Sequence, residues 1–392
     1  MRLLARLATA TLLATAPLAA GTASAAGPEP TPVPLHTSAN AVPGQYIVTL
    51  DKGVDAAKTA AKLGLKPTFV YNSAIRGFAG PLTKSQLDLV RVSPGVKAVE
   101  EDARVQATPL PSAPGSRAPS ASWGLDRIDQ RHLPLDNDFT TAGNGSGVNA
   151  YILDTGIDYG HTEFRGRAAL GFDAMGDGRG GQDCNGHGTH VAGTVGGSTY
   201  GVARKANLIS VRVLGCDGTG SWSGIIAGMD WVARNAKGPA VLNGSLGGDR
   251  SDAVNNAANA VADAGVLPVI AAGNSAIDAC RVSPASAARV LTVGATNRWD
   301  EETSFSNYGT CLDLYAPGQD IVSAKLGGGS VALNGTSMAA PHVAGLATLY
   351  KGAYPAATPA EVADWLDSKS TKDDLTNLGN GSPNKLLFTA GF

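Results

Sequence analysis

The run Asn334-Gly335-Thr336-Ser337-Met338-Ala339-Ala340-Pro341-His342, continued by Val343, Ala344, Leu346, Ala347, Leu349 and Tyr350, decides how the rest of the chain is read. Small and apolar residues after His342 predict a buried helix with Ser337 at its N-terminus. Unpaired backbone N–H groups and the positive end of the helix dipole converge there, where an anionic intermediate would be stabilised. For so short a motif an ordinary serine cap is the competing reading. Pro341 is expected in the first turn, where its missing N–H costs little. The choice between cap and nucleophile depends on what lies upstream.

The chain of 392 residues has room for a signal, a small module and one large domain with a substantial core. Its 50 glycines and 16% charged residues describe a tightly turned α/β protein. With 31 basic and 33 acidic residues the net charge is -2, and no Lys/Arg cluster occurs, so no nucleic-acid partner is expected. Arg2 and Arg6, the apolar run 7–20 and Ala23-Ser24-Ala25 make residues 1–25 a secretory signal peptide. That run is short for a membrane span and no later one is long enough, so a secreted, extracellular product free of the membrane is expected. Cys184, Cys216, Cys280 and Cys311 all lie in the large domain, and export favours disulfides, with three pairings open.

Residues 26–42 are a Pro/Thr/Ala-rich flexible lead-in. Across 43–106 come a strand at 45–50, a helix at 54–63, two strands within 68–79 broken near Asn72-Ser73, a helix at 85–92 and a strand at 96–105. This β-α-β-β-α-β order is that of a small α+β ferredoxin-like module. Residues 107–121, rich in Pro, Ser, Ala and Gly, form an exposed linker suited to a processing site. In the large domain, 122–392, the apolar runs 148–153, 208–214, 240–242, 266–272 and 290–293 read as buried, non-alternating strands. Helical stretches at 190–196, 224–235 and 252–264 separate several of them, which predicts an α/β fold: a parallel sheet with helices on both faces. In such sheets active sites gather at the carboxyl ends of the strands.

That rule picks out Asp154, which ends the run 148–153, because a carboxylate at the mouth of an apolar strand is costly unless something there needs it. His187-Gly188-Thr189-His190 follows, with glycines that allow close approach, and His187 is the candidate base. A metal pair of His187 and His190 is the alternative, though no further ligand follows at the usual spacing. A serine nucleophile needs a base, and the base needs a carboxylate to fix its tautomer. Asp154, His187 and Ser337 supply these in that chain order, and Asn274, at the end of 266–272, supplies an amide for a developing oxyanion or is a polar turn residue.

Asp154-Thr155-Gly156, His187-Gly188-Thr189-His190, Ala271-Ala272-Gly273-Asn274 and Gly335-Thr336-Ser337-Met338-Ala339-x-Pro341-His342 together resemble the signatures of the subtilisin-like serine proteases. The proteinase K branch, and its aqualysin-like bacterial secreted members, is the closer match. It is carried by Trp123-Gly124-Leu125-Asp126-Arg127-Ile128-Asp129, Ser245-Leu246-Gly247-Gly248, Ser304-Phe305-Ser306-Asn307-Tyr308-Gly309 and Ser382-Pro383-Asn384-Lys385-Leu386-Leu387. The resemblance implies a secreted, monomeric serine endopeptidase acting on polypeptide substrates, made with an inhibitory pro-segment that also serves as an intramolecular chaperone. It implies that a substrate strand lies between Gly218-Thr219-Gly220 and Ser245-Leu246-Gly247, a main-chain pairing indifferent to side chains. It further implies that Ala271, Ala272 and Gly273 wall an open apolar P1 pocket. Trp222 covers P4 on this reading, or is a partly buried turn aromatic. The implied disulfides are Cys184 with Cys216 and Cys280 with Cys311. No cofactor is implied for catalysis. Structural calcium is implied at Asp313 with the carbonyls of Ala288 and Val290, and the acidic cluster Asp126, Asp129, Gln130, Asp136 and Asp138 is either a second site or a solvated turn.

Overall fold

A computed structural model describes residues 31–107 and 122–392. The signal peptide read at 1–25, and the linker 107–121 apart from Ala107, lie outside the described residues.

The first module runs β1 (Ala41–Leu50), α1 (Ala56–Lys62), β2 (Phe69–Tyr71), β3 (Gly77–Pro81), α2 (Lys84–Arg91) and β4 (Val96–Ala107), the order expected from the sequence. The start of α2 is fixed by a capping box, in which Thr83 accepts from the Gln86 N–H and Gln86 returns to the Thr83 N–H. Antiparallel pairing sets β1 between β3 and β4, and the helices close one face over Val48, Phe78, Leu87, Val90 and Val99.

The second body contains α3 (Trp123–Ile128), β5 (Asn149–Asp154), β6 (Ala168–Asp173), α4 (His187–Gly196), β7 (Asn207–Arg212), β8 (Thr219–Ser221), α5 (Trp222–Asn235), β9 (Ala240–Gly244), β10 (Leu246–Asp249), α6 (Asp252–Asp263), β11 (Leu267–Ala271), β12 (Leu291–Thr296), β13 (Leu314–Pro317), β14 (Ile321–Ala324), β15 (Ser330–Leu333), α7 (Thr336–Ala353) and α8 (Pro359–Lys369). Its parallel sheet has the order β13-β12-β11-β9-β5-β7-β6. The central strands β9 and β11 are buried throughout, because helices cover both faces. One face packs Ile152, Val269 and Val293 with α4 and α7; the other packs Leu153, Leu242 and Ile270 with α5 and α6.

The long strand β4 joins the two bodies. Its first half belongs to the module sheet, where Val48 pairs with Val99. Its end runs antiparallel between β8 and β10: Val105 opposite Gly220, Gln106 opposite both Thr219 and Gly247, and Ala107 opposite Leu246. Three carboxylates reinforce this seat. Glu100 accepts from the Ser251 hydroxyl at 2.6 Å and the Ala253 N–H at 2.9 Å, at the start of α6. Asp102 accepts from the Ser223 N–H at 3.0 Å, at the start of α5. Both positions favour anions, since helix N-termini carry free N–H groups. From the other side, Asp230 of α5 accepts from the N–H groups of Asn72, Ser73 and Ala74 at 3.0, 2.6 and 2.8 Å.

Candidate active site

Asp154 is the last residue of β5, fully buried where the sheet opens. Its Oδ1 accepts from the Thr155 N–H at 2.7 Å and lies 2.7 Å from His187 Nδ1. Only a protonated Nδ1 can donate to a carboxylate, so the neutral ring presents an unprotonated Nε2, the tautomer a base requires. Burial pushes the His187 pKa down, but the charge and hydrogen bond of Asp154, with the charge of Asp183, outweigh it and raise the value above 6.5. Nε2 is buried and has no hydrogen-bond partner among the described residues.

The helix that carries this histidine starts at His187, three residues earlier than the sequence pattern suggests. Gly186, at φ 107°, takes the left-handed turn that lets the chain enter α4 directly on the histidine. His190, one turn on, bonds to other elements: its Nε2 lies 3.0 Å from the Ile321 carbonyl and 3.1 Å from that of Val331. Burial, with the neighbouring His187, pushes its pKa down to about 3, so it is neutral and held to β14 and β15. The two histidines do not form a metal pair, and among the described residues no group of three or more His, Cys, Asp or Glu side chains could hold a metal ion.

Ser337 is the second residue of α7, after Gly335 at φ 142°. Its hydroxyl donates to the Ser245 carbonyl at 3.2 Å. Pro341 stands in the second turn and not the first, which corrects the expectation drawn from the sequence. There its missing N–H leaves the Ser337 carbonyl without the usual helical donor, and the Ser245 hydroxyl fills that place at 2.9 Å. The proline thus couples the nucleophile candidate to the β9–β10 corner. Asn274 Oδ1 accepts from the Thr336 N–H and hydroxyl, both at 2.8 Å, which fixes the amide orientation. The remaining Nδ2 is buried without a partner among the described residues, beside the start of α7.

The expected substrate segments are filled by β4. Ala107 donates its N–H to the Gly218 carbonyl at 2.8 Å, and Gln106 lies between Thr219 and Gly247. Trp222 is 2% exposed and packs in one apolar cluster with Val105 and Leu246, so it is a buried aromatic that also meets the docked strand. Below the strand a cavity of about 440 Å³ is lined by Ala271, Ala272, Gly273, Asn274 and Asn307. The cysteines pair as Cys184–Cys216 and Cys280–Cys311.

The acidic cluster is gathered at one turn. Asp126 accepts from the N–H groups of Asp136 and Asn137, Asp129 from that of Thr140, and the Gln130 side-chain Oε1 from that of Asp136. Burial raises the pKa values of Asp126 and Asp129, and the charge of Asp136 adds to both. Asp313 accepts from the Thr292 N–H at 2.7 Å, and desolvation of its carboxylate pushes its pKa up to about 6. Asp313, desolvated by burial, with main-chain carbonyls would be an oxygen donor set that suits calcium better than a transition metal, whereas the acids of the Asp126 turn do not make a group that could hold a metal ion among the described residues.

Sequence reasoning missed Asp183, Thr155, Ser245 as a partner of α7, and Asn307. Asn307 accepts from the N–H groups of Ser275 and Ile277 and donates to the Ala272 carbonyl, bracing the Asn274 loop. Its place in the Ser306-Asn307-Tyr308 run was the available signal, but its targets are backbone groups, which no spacing rule reveals.

Comparisons with known proteins bear on the family. Residues 145–391 match the model of the subtilase family, and residues 64–108 that of the peptidase inhibitor I9 family. The chain is 46% identical to an extracellular serine proteinase of Thermus sp. (strain Rt41A), over 89% of this chain and 90% of that protein. It is 48% identical to alkaline serine exoprotease A of Vibrio alginolyticus over 82% of this chain, but spans only 60% of that protein. A crystal structure of a cold adapted subtilisin-like serine proteinase, 49% identical, superposes with a TM-score of 0.68, covering 69% of this chain and 99% of that one. A subtilase match across most of the second body, preceded by an inhibitor I9 module, settles the assignment: the chain belongs to the subtilase family of serine endopeptidases.

Proposed function

We propose that this chain is an exported precursor that cuts itself free of residues 43–106 and then hydrolyses polypeptides with a broad, apolar or aromatic P1 preference. The observation that carries this reading is the seating of β4: an extended peptide already lies between β8 and β10 and ends beside Ser245, whose two oxygens bond Ser337. In the reaction, Ser337 Oγ attacks the scissile carbonyl while His187 Nε2 takes its proton, then returns it to the leaving amine. Asp154 holds the ring and stabilises the imidazolium. Asn274 Nδ2 and the Ser337 N–H receive the oxyanion, and water reverses the sequence to release the acyl group. Main-chain pairing with Gly218-Thr219-Gly220 and Ser245-Leu246-Gly247 makes binding indifferent to most side chains, and the open cavity beside Ala271, Ala272 and Gly273 takes the P1 group.

Processing between residues 107 and 121 releases the module, which until then blocks the cleft and holds α5 and α6. Calcium at Asp313 with the Ala288 and Val290 carbonyls would neutralise a desolvated carboxylate and brace that loop without entering the chemistry. Export follows from the signal-like residues 1–25, and no described helix is long and apolar enough to cross a membrane. The Ser337→Ala chain should accumulate uncut precursor. Maturation of that variant in pure form would contradict self-processing.

A further inference from the structure

Four residues before His187 sits a carboxylate to which the proposed reaction assigns no role. Asp183 is 7% exposed and takes five hydrogen bonds. Oδ1 accepts from the Thr155 hydroxyl at 2.9 Å and from the N–H groups of Asn185 and Gly186 at 2.9 and 3.0 Å. Oδ2 accepts from the N–H and hydroxyl of Thr189 at 3.0 and 2.6 Å. The Thr155 hydroxyl in turn accepts from the Gly188 N–H at 2.9 Å. One carboxylate therefore grips the turn after Asp154, the loop before His187 and the first turn of α4.

We propose that Asp183 is a positioning residue for the reaction: it locks the Asp154 turn and the His187 helix start into one unit and lends a second negative charge to the imidazolium. This rests on the assignment of Asp154 and His187 as carboxylate and base. The geometry gives the reason. His187 and Asp154 come from different elements, and their 2.7 Å contact survives only if the two backbones keep a fixed spacing. Thr155 and Gly188 are the residues next to each, and they are bonded to one another through the hydroxyl that Asp183 holds.

The charged and titratable groups around this corner leave Asp183 as the main second influence on the ring. His190 of α4 and His342 of α7 are both buried and neutral, pushed down to about 3 and about 4. Arg212, at the end of β7, donates to the Thr155 carbonyl, but its charge is matched by Asp173 and Asp177. Asp158 keeps its carboxylate on the Gly160 and Gly327 N–H groups. Asp154 and Asp183 are the carboxylates whose charges raise the His187 pKa.

The pH profile isolates the charge. Asp183→Asn removes the charge and also sets an NH2 against donors that one carboxylate oxygen now accepts, so its kcat reads both effects. With the charge gone the base loses its proton more easily, and the acid limb of kcat/KM should move to lower pH, by roughly 0.5 unit. The plateau kcat should fall roughly ten-fold with KM little changed, because the imidazolium formed during attack is less stabilised. Thr155→Val keeps the charge and removes the bridging hydroxyl; kcat should fall while the limb stays in place. Rates are taken per site counted with a serine-directed reagent, so a loss of folded protein does not imitate either effect. An unmoved limb in Asp183→Asn overturns the charge role, and an unchanged kcat in Thr155→Val overturns the positioning role. If Asp183→Asn fails to fold, Thr155→Val alone still decides the positioning claim. Failure of the wild type to label at Ser337 would instead sink the underlying assignment of the reaction.

Discussion

Asp230 offers a direct handle on how the module is held. Its Oδ1 accepts three consecutive backbone N–H groups from Asn72, Ser73 and Ala74, all at 3.0 Å or less. Replacing it by Asn preserves the volume and one carbonyl acceptor but removes the charge. Hydrogen bonds to a charged group are worth about 1.5–3 kcal/mol against about 0.5–1.5 for neutral ones, a difference near 1 kcal/mol each. Three such bonds share one oxygen, so the sum is less than additive, and about 2 kcal/mol is expected. That weakens the cut but still docked complex by roughly 30-fold, mostly through faster dissociation. The assay follows the delay between appearance of the cut module on a gel and full activity, at one protein concentration. Asp230→Asn should shorten that delay by about the same factor, while the matured enzyme keeps its kcat/KM and Tm. An unchanged delay, with cutting itself unaffected, would refute the claim that this carboxylate anchors the module.

Three further outcomes follow from the site. Asn274→Leu should lower kcat by roughly 10²-fold or more with KM little changed, the size seen for such a donor in a subtilisin; a near-normal kcat would remove Asn274 from the oxyanion role. Thr108–Pro109 is the second bond beyond the seated strand, which ends at Ala107, and its nitrogen belongs to a tertiary amide with no N–H. Mass spectrometry of the released module should therefore find no wild-type product ending at Thr108, and Pro109→Ala should create one; a wild-type product ending there would contradict this. Removing calcium with a chelator should lower Tm, and Asp313→Asn should blunt that response; equal responses in wild type and variant would take calcium away from Asp313.

Much of this was legible in the sequence because burial leaves a plain trace. The runs that became β5, β9, β11 and β12 are mostly apolar, interrupted only by Asn149 in 148–153 and Thr292 in 290–293, and Asp154 and Asn274 stand out as polar residues at or just beyond the ends of two of them. Strand β6 escaped notice because it is a sheet edge, paired only to β7 and half exposed, so Ala168-Ala169-Leu170-Gly171-Phe172-Asp173 shows no continuous run. The start of α4 was misplaced because His187-Gly188-Thr189-His190 has weak helix propensity, and burial between β5 and α7 imposes the helix. Trp222 opens α5 two residues before the pattern suggests, since Ser221 caps it through the Gly224 N–H. Asp183 was invisible for a different reason: it recognises backbone N–H groups of its own loop, and those have no residue identity.

The claim on which the rest depends is that Ser337 is the nucleophile, activated by His187. The most direct measurement is titration of the matured protein with a serine-directed phosphonate or sulfonyl fluoride, followed by peptide mapping of the modified residue. The account predicts one equivalent bound, on Ser337, with activity lost in proportion. Full activity after saturating treatment, or modification at any other residue with loss of activity, would contradict it.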